Sequence, residues 1–283
     1  MVEAEIALNQ QAIQKLAGYY SAATNRIIAR LTSLTSFEQA RQLEVLAQID
    51  EILHDLDQKT TATIQTEVEA SYKKYANQTT NVAKKSGIEL NPTLTVIDRQ
   101  AIEALTNGTM ESYREAYSGV KRAAMRMLTD AHRQEIQATL IEGRITGATR
   151  KTIADSIAGQ LKDRLVTLVD KGGRKWSLEA YSNMLTRTMF VKSANDGIIN
   201  RLLGGGEDLV QVSYHGATCQ LCSPWEAKIL SISGLNPVYP SRAEAENNGL
   251  MHPNCRHRYL PYRETLAQVS TVWNPDTQHY IEL

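Results

Sequence analysis

Three cysteines and three of the histidines, all beyond residue 214, hold most of the chemistry this chain could perform. They fall in two short runs, His215-Gly-Ala-Thr-Cys219-Gln-Leu-Cys222-Ser-Pro-Trp225 and His252-Pro-Asn-Cys255-Arg-His257. The first supplies a C-x2-C pair and the second an H-x2-C pair. Thiolate and imidazole suit a borderline-soft dication, and each run can bring two donors to one ion at about 2.0–2.3 Å. Cys219, Cys222, His252 and Cys255 together make a tetrahedral Cys3His set for a structural zinc, with His257 and His215 in reserve for the fourth position. Two other readings stay open. The C-x-x-C pair could be a redox dithiol, although no βαβ pattern surrounds it. The histidines could instead only donate hydrogen bonds in a metal-free fold. Three cysteines cannot pair evenly, so no disulfide framework is expected.

A catalytic zinc keeps one coordination position open and needs a base beside it. Here four protein donors close the set, and neither H-E-x-x-H nor H-x-E…P-C-x-x-C occurs. No nucleophile–base pair is evident elsewhere, and Asp155, Asp163 and Asp170 are too widely spaced for a carboxylate site. The pattern predicts a structural metal and no enzymatic activity. A zinc-ribbon nuclease or other DNA-processing enzyme is the alternative. Around the second run, Arg256, Arg258 and Arg263 stand in a stretch from Leu250 to Arg263 without an acidic residue. Such a patch could neutralise phosphates and bind DNA weakly and without sequence preference. The same arginines could instead cap turns or pair with Glu226 or Glu244.

The elements that must position these residues differ sharply along the chain. One of the seven prolines, Pro92, lies in the first 223 residues and six lie in the last 60. The sequence therefore reads as long helices followed by a short, turn-rich module, with the break at Gly204-Gly205-Gly206. Before that break a helical period dominates. Ile6, Ile13, Tyr20, Ile27 and Leu34 recur every seven residues, flanked by Leu16 and Leu31. Ser36 with Gln39 has the form of a capping box, opening a second helix that carries Leu46, Ile49, Leu53, Leu56, Ile64, Val68, Tyr72 and Tyr75. Asn77 to Pro92 reads as a polar loop. Asp98 reads as the cap of a short helix ended by Asn107-Gly108, with another long helix over about 110–142. A further helix covers Ile153 to Leu165, and Ser177 caps one carrying Tyr181, Leu185, Met189 and Ile199. These stripes predict core packing, while the length and heptad spacing of the first two helices also suit an interaction arm.

The whole-chain numbers are consistent with a globular protein. In 283 residues, hydrophobic types make up 42% and charged types 22%, which excludes a disordered chain. Lys+Arg and Asp+Glu both total 31, so a whole-chain basic field for gripping nucleic acid is absent. No stretch approaches the roughly 18 apolar residues of a transmembrane helix. The acidic start, MVEAEIALNQ, lacks the features of a secretion signal.

One further pattern runs through Gly173-Arg-Lys-Trp176, Tyr181, Met184, Arg187-Thr188, Asp208-Leu-Val210, His215-Gly-Ala217, Pro224-Trp225-Glu-Ala-Lys228, Asn254-Cys255-Arg256-His257 and Pro261-Tyr262. In order and spacing it resembles the minor capsid, or head-morphogenesis, family of tailed bacteriophages. The closing His-Pro-Asn-Cys-Arg with its upstream C-x2-C is similar to the Mu F-like branch. The resemblance covers about residues 170–265 and leaves the first 100 residues unmatched. Glu226-Ala227 stands where relatives often have Gln-Gly. The resemblance implies a low-copy virion protein in the capsid interior, present in the host cytoplasm during assembly. It implies contacts with the portal and major capsid proteins and with packaged DNA, and no catalytic residues. The expected fold is mainly α, with long helices in the N-terminal two-thirds and a small α+β zinc-ribbon-like module after them. The expected division is an interaction arm over 1–110, a helical domain over 111–206, a Cys/His module over 207–265 and a tail over 266–283.

Overall fold

The computed structural model describes residues 2–32, 39–85, 87–128, 175–216 and 219–263, with strands at 167–169, 271–274 and 279–282 and isolated positions between 138 and 159. Four long helices dominate: α1 (Val2–Thr32), α2 (Gln39–Lys85), α3 (Val96–Met127) and α4 (Leu178–Gly204). A hairpin of β1 (Thr167–Val169) and β2 (Lys175–Ser177) precedes α4. After α4 come β3 (Leu209–Val212), β4 (Ile229–Ser231), the short α5 (Arg242–Asn247) and β5 (Tyr259–Pro261). These three strands form an antiparallel sheet in the order β4-β3-β5. A last antiparallel pair joins β6 (Thr271–Asn274) to β7 (His279–Glu282). The chain is thus mainly α with a small α+β module. Among the described residues, no helix is long and apolar enough to cross a membrane.

Two predicted breaks are bridged by helix. The helix α2 continues to Lys85 through the stretch read as a loop from Asn77. The weak helix formers there have their hydroxyls satisfied inside the helix, Thr79 donating to the Tyr75 carbonyl at 2.9 Å and Thr80 to that of Ala76 at 3.1 Å. Burial of Ala76, Thr79 and Ala83 on one face supplies the packing that propensity lacks. The second break, at Asn107-Gly108, does not end a short helix either, because α3 runs unbroken across it. A mid-helix glycine costs about 1 kcal/mol, which the buried Met110, Tyr113, Tyr117 and Val120 outweigh. Asp98 is the third helical residue, not the cap. Thr95 is the cap, its hydroxyl accepting from the Asp98 N–H at 3.2 Å while the Asp98 carboxylate accepts from the Thr95 N–H at 2.6 Å. Ser36 and Ile153 to Leu165 lie outside the described residues or largely so.

The described residues group into two compact units, each built from separated stretches. One comprises Gln11–Thr63 and Met110–Asn183. Within it Leu16, Tyr20, Ile27 and Leu31 are buried, as the heptad spacing predicts, and Ile13 is half-buried. The Tyr20 ring packs 5.5 Å from that of Tyr113 and 5.4 Å from that of Tyr117. Arg26–Asp55, Arg114–Asp57 and Lys121–Asp50 pairs join its helices at the surface, where such pairs contribute little each.

The other unit comprises Met1–Gln10, Ile64–Thr109 and Met184–Leu283. Its helices approach closely where Gly197 of α4 lies against the Tyr72 backbone, and a Cβ built on Gly197 would be 2.6 Å from the Tyr72 carbonyl oxygen. Ser193 donates to the Val68 carbonyl at 2.8 Å. Tyr72 donates its hydroxyl proton to Asp98 at 2.7 Å and accepts from Asn200 at 2.7 Å. The helix α4 ends at the predicted glycine run, with Gly206 at φ 78° and the Glu207 N–H returning to the Leu202 carbonyl. One core then continues from Tyr75, Ala83, Ala194, Ile198 and Leu202 into Val210, Val212, Leu230, Leu250 and Tyr259.

Two glycine substitutions separate these effects. Gly197→Ala is expected to lower the thermal midpoint clearly, by a few kcal/mol of stability, because a backbone carbonyl cannot step aside. Gly108→Ala, whose Cβ would meet nothing within 4 Å, is expected to be neutral or to stabilise by up to about 1 kcal/mol. Thermal melts followed by circular dichroism measure both.

Candidate metal centre

Two tight turns carry the donors, one in the link between β3 and β4 and one just before β5. In the first, the Ser223 N–H returns to the Cys219 carbonyl at 2.9 Å and the Trp225 N–H to that of Cys222 at 2.9 Å, closing a 3-10 turn over Ser223–Trp225. Pro224 sits inside that turn, where its missing N–H costs nothing. In the second, the Cys255 N–H returns to the His252 carbonyl at 2.9 Å, and Asn254 takes φ 66° to allow it. Asn195 of α4 pins this second turn. Its side chain donates to the His257 carbonyl at 3.4 Å and accepts the Tyr259 N–H at 3.0 Å.

The turns bring five of the six predicted donors into one cluster. His252 Nε2 lies 3.3 Å from Cys219 Sγ and 3.0 Å from Cys222 Sγ. His257 Nδ1 lies 3.3 Å from Cys255 Sγ. Two donor triads result, Cys219/Cys222/His252 and Cys222/Cys255/His257, each with all ligand atoms within 4.8 Å of one another. Cys222 is common to both. Ligand atoms of a tetrahedral zinc site stand roughly 3.5 Å apart given bonds of about 2.0–2.3 Å, so this cluster could hold a metal ion. Cys222 and Cys255 are buried members of the core, whereas Cys219 is half-buried.

His215 lies outside both triads. Its Nε2 is 3.0 Å from the Ser213 hydroxyl, and its ring meets that of His257 edge-on at 4.7 Å. Glu226, which spacing did not single out as part of the site, is central to it. Its Oε1 is 2.9 Å from His257 Nε2 and accepts the His215 N–H at 2.9 Å. Nothing in the sequence pairs Glu226 with His257, since only the sheet joins them.

The thiols are electrostatically unequal. The hydrogen bond from Cys222, with backbone N–H groups behind it, pulls the Cys219 thiol down to about 7. Burial, with Cys219 and Cys255 beside it, pushes Cys222 up. Burial pushes Cys255 up, but the side-chain hydrogen bond and charge of His257 and the backbone hydrogen bonds around it together outweigh burial and hold that thiol below its ordinary value.

The three predicted DNA-contacting arginines have different surroundings. Arg256 is exposed. Arg258 stacks its guanidinium 4.6 Å from the Tyr75 ring centre and donates to the Tyr75 hydroxyl. Arg263 pairs with Glu207 at 2.8 Å near the surface. Beside His252 opens a cavity of about 420 Å3 lined in part by Lys192, Asp196, Arg242, Glu246 and Tyr259. Burial raises the Asp196 carboxyl to about 6, against the pull of Arg242.

A family model described as Phage minor capsid protein 2 matches residues 8–279, extending over the N-terminal stretch that the motif-level resemblance left uncovered. A protein named "Structural protein" from Lactococcus phage LL-H is 28% identical over 176 residues, covering 58% of this chain and 46% of that protein. The chain thus spans about half the length of that relative. No solved structure matches it.

Asp196 gives a pH test of the site's surroundings. Its folded value lies above its unfolded one, so its ionised form opposes folding above pH 6 and the penalty fades as pH falls through that value. Asp196→Asn is expected to stabilise the chain at pH 7.5 by about 2–3 kcal/mol and to change little at pH 4, as read from denaturant melts at both pH values.

Proposed function

Because the chain belongs to the phage minor capsid protein 2 family, we propose that it is a structural component of the virion that works inside the head near the portal, assisting head assembly, DNA packaging or DNA delivery. The match over nearly the whole chain carries this reading. In it, the portal and major capsid proteins are the partners, and the N-terminal stretch over 1–110 is the arm offered to them. Exposed Leu43, Val82, Val96 and Ile97 support that assignment, since large apolar side chains in water favour a covering surface. The protein does no chemistry on DNA in this reading. Mass spectrometry of purified virions, protease-treated before and after the head is opened, tests the location. The protein should be present and protected until opening, and digestion of intact particles would contradict an interior place.

The donor cluster serves as a structural zinc site, with Cys219, Cys222, Cys255 and His252 as ligands. The supporting observation is that Cys222 and Cys255 belong to the same core as α4, so a bound ion would cross-link both turns to that core. Protein prepared without chelator should contain close to one zinc per chain. Cys222→Ser should lose it and lower the thermal midpoint. A chain that contains no zinc and melts unchanged with chelator would contradict the assignment.

DNA binding is weak and sequence-independent in this reading, through the surface of Arg256, Arg258 and Arg263. Arg258 is held by Tyr75, and the exposed Arg263–Glu207 pair exchanges readily for a phosphate. About two phosphates are then neutralised, so log affinity against log salt should fall with a slope near −2. Arg256→Ala with Arg263→Ala should flatten it. Binding that persists at high salt, or DNA cleavage with added magnesium, would favour the enzyme alternative.

A further inference from the structure

We infer that Glu226 and His257 are positioning residues for the metal-binding thiols, Glu226 holding His257 and His257 holding Cys255. This rests on the metal reading above. The side chains of His257 and Glu226 are 3% and 7% exposed. A carboxylate at that depth is costly unless donors replace its water. Among the described residues His257 Nε2 and the His215 N–H both meet Glu226, each at 2.9 Å. One carboxylate thereby ties the approach to the first turn to the exit from the second. Other contacts bear on His257 as well. The His215 ring packs edge-on against it, Asn195 donates to its carbonyl, and Nδ1 is aimed at Cys255 Sγ.

The backbone supports the same assignment. Among the described residues, the non-glycine positions with positive φ are Ala227, Met251 and Asn254. The first directly follows Glu226, and the other two lead into Cys255. Left-handed backbone at such residues is strained and persists only where surrounding contacts impose it. At Ala227 the N–H reaches the Val212 carbonyl at 3.1 Å, a bend that turns the chain immediately after the carboxylate.

His252 and His257 divide the work. His252 Nε2 faces two thiols, with Nδ1 held by the Pro253 carbonyl at 2.8 Å. His257 has Nε2 committed to Glu226, and Nδ1 meets Cys255. Hydrogen-bonded carboxylates and imidazoles behind ligands typically change metal affinity by about 10- to 100-fold. The donor set itself does not change when such a group is removed.

Cobalt(II) added to the metal-free full-length chain separates the possibilities, because its visible bands report the donor set and its titration reports affinity. The unaltered chain should take up one cobalt in a tetrahedral, thiolate-rich site. Glu226→Ala and His257→Gln should bind one cobalt with the same ligand-field bands but about 10- to 100-fold more weakly. Glu226→Gln, which retains an oxygen acceptor, should recover most of the affinity. Far-ultraviolet circular dichroism checks that each variant is folded, and if Glu226→Ala is not, the Glu226→Gln and His257→Gln pair decides. Unchanged affinity in the Ala and His257 variants overturns the positioning role. Altered ligand-field bands in His257→Gln overturn it in favour of His257 as a direct ligand. An unaltered chain that binds no metal overturns the metal reading itself, and this inference with it, before any variant is compared.

Discussion

The Tyr72 hydroxyl ties three helices together in one hydrogen-bonded junction. It donates to Asp98, whose carboxylate also engages Thr95 at the start of α3, and it accepts from Asn200 on α4. Burial alone would raise the Asp98 carboxyl, but the bonds from Tyr72 and Thr95 outweigh it and keep it below its usual range. The same residue's backbone lies against Gly197, which lets α2 and α4 approach more closely than any side chain would allow. With α4 fixed at that distance, its Asn195 stands where it can bind the stretch that leaves the Cys255 turn, at the His257 carbonyl and the Tyr259 N–H. The donor cluster is thus positioned in part by a helix–helix contact that none of its own residues makes.

At the cluster the local forces conflict in a way that a bound dication would relieve. Cys219 and Cys255 are drawn toward the thiolate while burial holds Cys222 neutral. Several partial negative charges around one buried sulfur repel one another, and the interior offers little dielectric screening. A zinc ion would bring +2 against the −3 of three thiolates, offsetting most of that charge and turning repulsion into coordination. The module's sheet has only three short strands, too little for a separate core. Sharing core residues with α4 and binding a metal are the two physical ways such a segment can be held, and this chain has the residues for both.

The proposed role as a structural component of the virion calls for attachment surfaces more than for a deep catalytic pocket. Helices of 31, 47 and 32 residues give reach. The arginines tell a mixed story, for a run that looks uniformly basic in sequence resolves into one exposed side chain, one stacked on Tyr75 and one in a surface pair. Charge counted along a chain overstates the charge available to a phosphate whenever some of it is used internally.

The sequence by itself determined the mainly helical class, the heptad-spaced buried face of α1, the stop of α4 at Gly204-Gly205-Gly206 and the two donor turns. Each rests on local rules of period, cap and spacing that act within a few residues. Only the tertiary structure decided that Asn77 to Lys85 and Asn107-Gly108 stay helical, because burial of Ala83, Tyr113 and Tyr117 outweighs weak local propensity. It also decided which donors meet. Glu226 reaches His257 because β3 and β5 pair across the intervening chain, and this leaves His215 outside the cluster against its neighbour Ser213. Contacts between residues so far apart depend on register and packing, which no local spacing encodes.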